Sequence, residues 1–248
     1  HAMIDALNLI RFGKADMIVT GGSEAPVGIP AVGGFSTMRA LSTRNDDPKH
    51  ASRPFDKDRD GFVIAEGAGA LVFEEYEHAV ARGAKIYCEV AGCGMTADAY
   101  HMTAPHPEGK GAMLSMRQAL EDAGLGVADV DYLNAHGTST PIGDIAEIDA
   151  VQGLFGEHAY KMNISSTKSM TGHLLGATAA VEALACVFAI TKGIVPPTIN
   201  VEEVDPQIDS KLNLTIGTAQ RRDVRVAMSN TFGFGGHNST IIFRKLEE

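Results

Sequence analysis

Basic side chains are scarce in this sequence: 21 Lys and Arg face 31 Asp and Glu, for a formal net charge of -10. That balance excludes a general nucleic-acid binder, because phosphate backbones are met by a basic footprint. The one basic cluster, Arg221, Arg222 and Arg225, reads as a solvated turn. Cysteine is scarce too. Cys88, Cys93 and Cys186 follow neither a zinc-knuckle nor a disulfide spacing, and a reducing cytoplasm is the compartment they predict. No basic-then-apolar leader stands at the start of the chain. The longest apolar run, 174–190, carries Glu182 and is diluted by alanine, so it reads as short and weakly hydrophobic for a membrane span. What is present is a chain of 248 residues, 44% hydrophobic, enough to fill one large domain or two small ones.

Met3, Ile4, Leu7 and Ile10 keep helical spacing over residues 2–12, and Gly13 is placed to end that helix. A helix already under way at residue 1 predicts that residues precede it. Residues 15–20 read as a short buried strand leaving into a Gly21-Gly22 turn. Residues 23–60, rich in Gly, Pro, Asp and Arg, predict a long irregular segment of the kind that carries function. Strand and helix then alternate, with strands at 62–73, 86–90 and 130–134 and helices at 75–83, 111–123 and 144–155, which is α/β organisation. Residues 174–190 predict a helix apolar on nearly every face. Its small residues, Ala179, Ala180 and Ala183 among them, would let sheets approach from two sides. Strands 224–229 and 239–244 close the chain around the glycine turn 233–236.

Three segments place polar side chains beside glycine at the ends of predicted elements, where α/β sheets gather their sites. They are Asn134-Ala-His136-Gly-Thr138-Ser-Thr140-Pro-Ile-Gly-Asp144, Lys168-Ser-Met-Thr-Gly-His173 and Asn230-Thr-Phe232-Gly-Phe234-Gly-Gly-His237-Asn238. Together, in this order, they resemble the C-terminal signatures of the elongating β-ketoacyl-[acyl carrier protein] synthases, members of the thiolase-like condensing enzymes. Arg53-Pro-Phe-Asp56 and Arg59-Asp-Gly-Phe62 fit the same family, and the resemblance covers essentially the whole chain. It implies an α/β fold of duplicated αβαβα layers, truncated at the N-terminus, with residues 1–84 the remainder of one half and 85–248 the other. It also implies decarboxylative Claisen condensation of a malonyl thioester with an acyl thioester in fatty acid elongation. The expected enzyme uses no cofactor and no metal, takes its substrates from acyl carrier protein, and works as a cytoplasmic homodimer.

Losing the malonyl carboxylate leaves an enolate, whose oxygen needs hydrogen-bond donors already in place. By the resemblance, His136 and His173 are those donors. They act as neutral imidazoles, and burial beside the apolar helix is expected to depress their pKa values. Phe234 is implied as a backbone donor to the acyl oxyanion, with the Phe232 and Phe234 rings as a gate. Lys168 and Glu182 are expected to pair and hold the geometry, since a lone carboxylate inside an apolar helix is costly. The family's nucleophilic cysteine is expected a few residues upstream of His1. None of the three cysteines present is a plausible substitute, so the chain alone is expected to be inert. His237 stands where the family often has threonine, which leaves substrate preference more open.

Thr138 and Thr140 have two readings: by the resemblance they line the pantetheine path, and by turn chemistry they satisfy backbone groups. Asp144 and Glu147 read as acidic residues favouring a helix start. His50, His78, His101, His106 and His158 read as ordinary polar residues. The reading of a different kind is a non-catalytic carrier-protein-binding or chain-length subunit, which keeps the fold and loses the chemistry.

Overall fold

Neighbouring residues on one strand point to opposite faces, and here both faces are buried: Leu133, Met228 and Ile242 enter one core, Tyr132, Ala227 and Ile241 another. The computed structural model, which describes residues 1–247, shows the sheet responsible. In chain order the elements are α1 (Ala2–Arg11), β1 (Met17–Glu24), α2 (Ile29–Thr37), β2 (Gly67–Glu74), α3 (Tyr76–Ala81), β3 (Glu89–Ala97), α4 (Lys110–Ala123) and β4 (Tyr132–Asn134). Then come α5 (Pro141–Phe155), β5 (Asn163–Ser165), α6 (Lys168–Thr171), α7 (Thr178–Lys192), β6 (Ile194–Val195), β7 (Gln220–Arg221), β8 (Val226–Gly233) and β9 (His237–Arg244). The main sheet has the order β3-β9-β8-β4-β5, with β4 parallel to both neighbours and β9 antiparallel to both of its own.

One face of this sheet packs on α4 and α5 through Met116, Leu120, Ile148 and Val151. The other packs on α1 and α7 through Met3, Leu7, Cys186, Val187 and Ile190. Beyond α7 lies a second sheet, β1 paired antiparallel with β2. Small residues set the spacing: a Cβ on Gly69 would meet the Cβ of Ala180 at 3.0 Å, and one on Gly22 would lie 2.4 Å from the Gly176 carbonyl oxygen. By length and composition, Leu175–Lys192 is apolar enough to cross a membrane, contrary to its reading as too short. In this fold it lies between two sheets and carries a buried carboxylate, Glu182.

The structure departs from the sequence reading in several places. Gly21 and Gly22 lie inside β1 rather than in a turn, because the close approaches of Gly69 and Gly176, not chain reversal, require them. Residues 23–60 are not wholly irregular but contain α2, none of whose residues is buried, so it leaves no apolar periodicity. β2 begins at Gly67, since residues 62–66 make only isolated bridges such as Ile64 to His173. β3 runs over 89–97, later than the expected 86–90, with Gly92 and Gly94 in it because α4 passes directly over them. The apolar helix is not buried all round either: Phe188 is 56% exposed.

Candidate functional site

His136 leaves the end of β4 in a loop that α5 captures by its backbone. The carboxylate of Glu147 accepts the N–H of His136 at 2.8 Å and of Gly137 at 2.7 Å, and also the Asn230 side-chain amide at 3.1 Å. Asp144 accepts from the backbone N–H of Phe55 at 2.9 Å and of Ser139 at 3.1 Å, beside the Arg59 guanidinium at 3.3 Å. These two carboxylates therefore tie the 53–60 and 136–140 loops to α5, a more specific task than complementing a helix dipole. Burial lifts both above the ordinary carboxylate range, Asp144 to about 6, and the N–H donors and Arg59 work against that. Thr138 and Thr140 hydrogen-bond to each other at 3.0 Å at the start of α5.

His173 follows Gly172, whose φ of +69° lets the chain turn against Val63 and Ala65. Its backbone N–H donates to the Val63 carbonyl at 2.7 Å. Its ring stands edge-on to that of His136, with centroids 5.4 Å apart. The Nδ1 of His173 accepts the backbone N–H of Leu175 at 3.2 Å. A nitrogen that accepts carries no proton, so the neutral ring holds its proton on Nε2. Burial, reinforced by the charge of Lys168, lowers the His173 pKa to about 3, and the same two causes, with His173 added, hold His136 well below the usual histidine value. Both rings are neutral at physiological pH.

Lys168 opens α6 and is 1% exposed; its Nζ donates to Oε1 of Glu182 on α7 at 2.5 Å. Burial pushes the Glu182 carboxyl up to about 7, while Lys168 pulls it back. The pair joins two segments of the site across the helix layer.

Aromatic rings close the site. Phe232 lies 5.5 Å from His136, Phe62 lies 5.2 Å from His173, and Phe35 on α2 stands 5.3 Å from Phe62 and 6.2 Å from Phe234 (ring centroids). Phe234 sits half-exposed on the β8–β9 turn, where Gly235 and Gly236 take φ of +86° and +77°. That turn is strapped by Gly235 N–H to Met102 O at 2.7 Å and by Asp98 N–H to Gly236 O at 2.8 Å. Beside it a cavity of about 350 Å³ is lined by His1, Thr231, Gly233, His237 and Ser239. Neither His136 nor His173 lines it.

The structure thus gathers His136, His173, Lys168, Glu182 and Phe232 and sets Phe234 at the rim. Sequence reasoning missed Phe35, Phe62 and the backbone-holding work of Glu147. Phe62 stood within a quoted motif without a role, whereas Phe35 gave no signal, lying in a helix the pattern does not show. The three thiols are chemically quiet: burial raises Cys88 to about 12, Cys93 to about 11 and Cys186 well above its ordinary value. Of the basic cluster, Arg221 and Arg225 are exposed, Arg225 pairing with Glu247 at the surface, whereas Arg222 is half-buried and binds Asp131 at 3.1 Å and the Lys161 carbonyl at 2.8 Å. Among the described residues no three His, Cys, Asp or Glu side chains converge as metal ligands.

Comparison with known proteins agrees on both halves of the chain. Residues 1–79 match the β-ketoacyl synthase N-terminal domain and residues 87–202 the β-ketoacyl synthase C-terminal domain. The 3-oxoacyl-[acyl-carrier-protein] synthase 2 of Synechocystis is 53% identical over 247 residues, covering 100% of this chain and 59% of that protein. A β-ketoacyl synthase from Burkholderia phymatum superposes with a TM-score of 0.94 at 45% identity, over 99% of this chain and 59% of its own. A type II polyketide ketosynthase, solved with its acyl-carrier protein and bound to the hexaketide, gives a TM-score of 0.96 at 40% identity, over 99% of this chain and 60% of its own. The chain therefore spans about three-fifths of the length of these relatives. With both domain matches, this identity and the thiolase-like α/β fold of its neighbours, the chain belongs to the β-ketoacyl synthase family.

Proposed function

We propose that this chain carries the malonyl-activating part of a 3-oxoacyl-[acyl-carrier-protein] synthase, an acyltransferase of fatty acid elongation. The observation that carries the reading is the pair of half-buried imidazoles, ring centroids 5.4 Å apart and both held neutral by their surroundings. The malonyl thioester carbonyl sits against the two ring N–H groups. As the C–C bond to the carboxylate breaks and CO₂ departs, its electron pair moves onto the thioester, and the enolate oxygen is met by donors that need no reorganisation. The enolate carbon then attacks an acyl thioester, and that carbonyl oxygen becomes an oxyanion to which the Phe234 backbone N–H is assigned. Collapse expels the thiolate. Lys168 and Glu182 hold α6 against α7, and Thr138 and Thr140 line the approach of the pantetheine arm.

The acyl-holding thiol is assigned outside these residues, because burial keeps Cys88, Cys93 and Cys186 protonated. Acyl carrier protein is the partner, a second copy the dimer mate and the cytoplasm the compartment. The two halves divide at residue 84, a boundary supported by the domain matches ending at 79 and resuming at 87. Retention of His136, His173 and the Lys168–Glu182 pair favours this reading over a chain-length subunit that has lost the chemistry.

The test grafts residues 1–248 in place of the matching region of the Synechocystis relative and measures condensation of malonyl- with acyl-carrier protein. His136→Ala and His173→Ala should each lower the rate by about 10²- to 10³-fold, as loss of one oxyanion donor does. An active graft whose histidine variants keep the parental rate contradicts the proposal.

A further inference from the structure

Nδ1 of His173 has a second neighbour besides the Leu175 N–H. The hydroxyl of Thr178, the first residue of α7, lies 3.0 Å from it. Thr178 is 1% exposed. Since Nδ1 already accepts from Leu175, it is the acceptor for the hydroxyl as well, so Thr178 Oγ1–H donates and the two donors share one lone pair. The Leu175 bond is the poorer of the two. It is longer, and it depends on a non-glycine residue held at φ +45°, a left-handed conformation that a branched side chain rarely adopts. The hydroxyl, by contrast, hangs from the first turn of a 15-residue helix packed between two sheets.

We propose that Thr178 is a positioning residue for His173: its hydroxyl, with the Leu175 N–H, keeps the proton on Nε2 and fixes the ring plane. This rests on reading His173 as the donor to the malonyl carbonyl. It adds a rigid-helix anchor to a ring otherwise oriented by one strained backbone amide and by contact with Phe62 and His136. An imidazole whose Nδ1 is polarised by two donors is also a better N–H donor at Nε2.

The experiment is ¹⁵N-histidine NMR on the full chain, with the His173 nitrogens identified by their loss in His173→Asn. In the wild type, Nε2 should be protonated and Nδ1 should show the shift of a hydrogen-bonded acceptor. In Thr178→Val the Nδ1 resonance should move toward that of an unbonded ring nitrogen, and in Thr178→Ser it should return. Should Thr178→Val fail to fold, judged by its other histidine signals, Thr178→Ala replaces it. Coincident Nδ1 shifts in wild type and in the folded Val or Ala variant overturn the proposal, as does an Nδ1-protonated ring in the wild type. A graft in which His173→Ala keeps full condensation would instead contradict the reading beneath it, so the two failures are distinguishable. In the active graft, Thr178→Val should lower kcat several-fold with KM held, and Thr178→Ser should restore it.

Discussion

Glu147 shows how much of this site is built from backbone. Its two carboxylate oxygens take three donors, the N–H groups of His136 and Gly137 and the amide of Asn230, and so join the His136 loop to the strand leading to Phe232 and Phe234. Glu147→Leu keeps the volume and strands all three donors. At about 1–3 kcal/mol for each buried group left unpaired, the substitution should destabilise the chain by about 3 kcal/mol or more in urea unfolding. Amide exchange at His136 and Gly137 should accelerate with it. A Leu variant with wild-type stability and protection would show that water serves these groups equally well.

Among the elements, α7 has to be approached from both sides at once, and glycine makes that possible. The ideal Cβ of Gly69 would come within 3.0 Å of Ala180 and 3.2 Å of the Val181 backbone nitrogen. Gly69→Val should therefore push β2 off the helix and cost about 1–3 kcal/mol by overpacking, read as a lowered urea midpoint with an unchanged slope. An unshifted midpoint would contradict this packing. The central helix was legible in the sequence because burial leaves a trace in composition: 174–190 is apolar and rich in alanine. So were the loops bearing His136, after β4, and His173, after α6, because motif and glycine coincide there. α2 was not, since a helix with no buried residue has no apolar stripe to show, and Phe35 was hidden with it. Thr178 and Glu147 were invisible as participants for another reason. Sequence spacing predicts which side chains are buried, not which polar groups they face: backbone N–H for Glu147, an imidazole nitrogen for Thr178.

At the scale of the whole molecule, the two sheets and the helix layer between them remove water from a small group of ionisable side chains, and that removal sets their charge. His136, held far below its ordinary pKa, and His173, lowered to about 3, stay neutral in the fold and become protonated on unfolding at mildly acid pH. Between the two His173 values, from about 6.5 down to about 3, the unfolded state binds more protons, so this part of the stability is present above pH 6.5 and is lost as pH falls. The same neutrality governs catalysis if the imidazoles act as donors rather than as acids. The direct measurement is the pH dependence of malonyl-carrier protein decarboxylation by the active graft, followed as release of labelled CO₂. The account predicts no inflection between about pH 5 and 8 that His136→Ala or His173→Ala removes, because neither ring titrates there, any inflection near 7 belonging to Glu182 and surviving in both variants. A rate that rises or falls through the ordinary histidine value near 6.5, and loses that inflection in His136→Ala or His173→Ala, would contradict it.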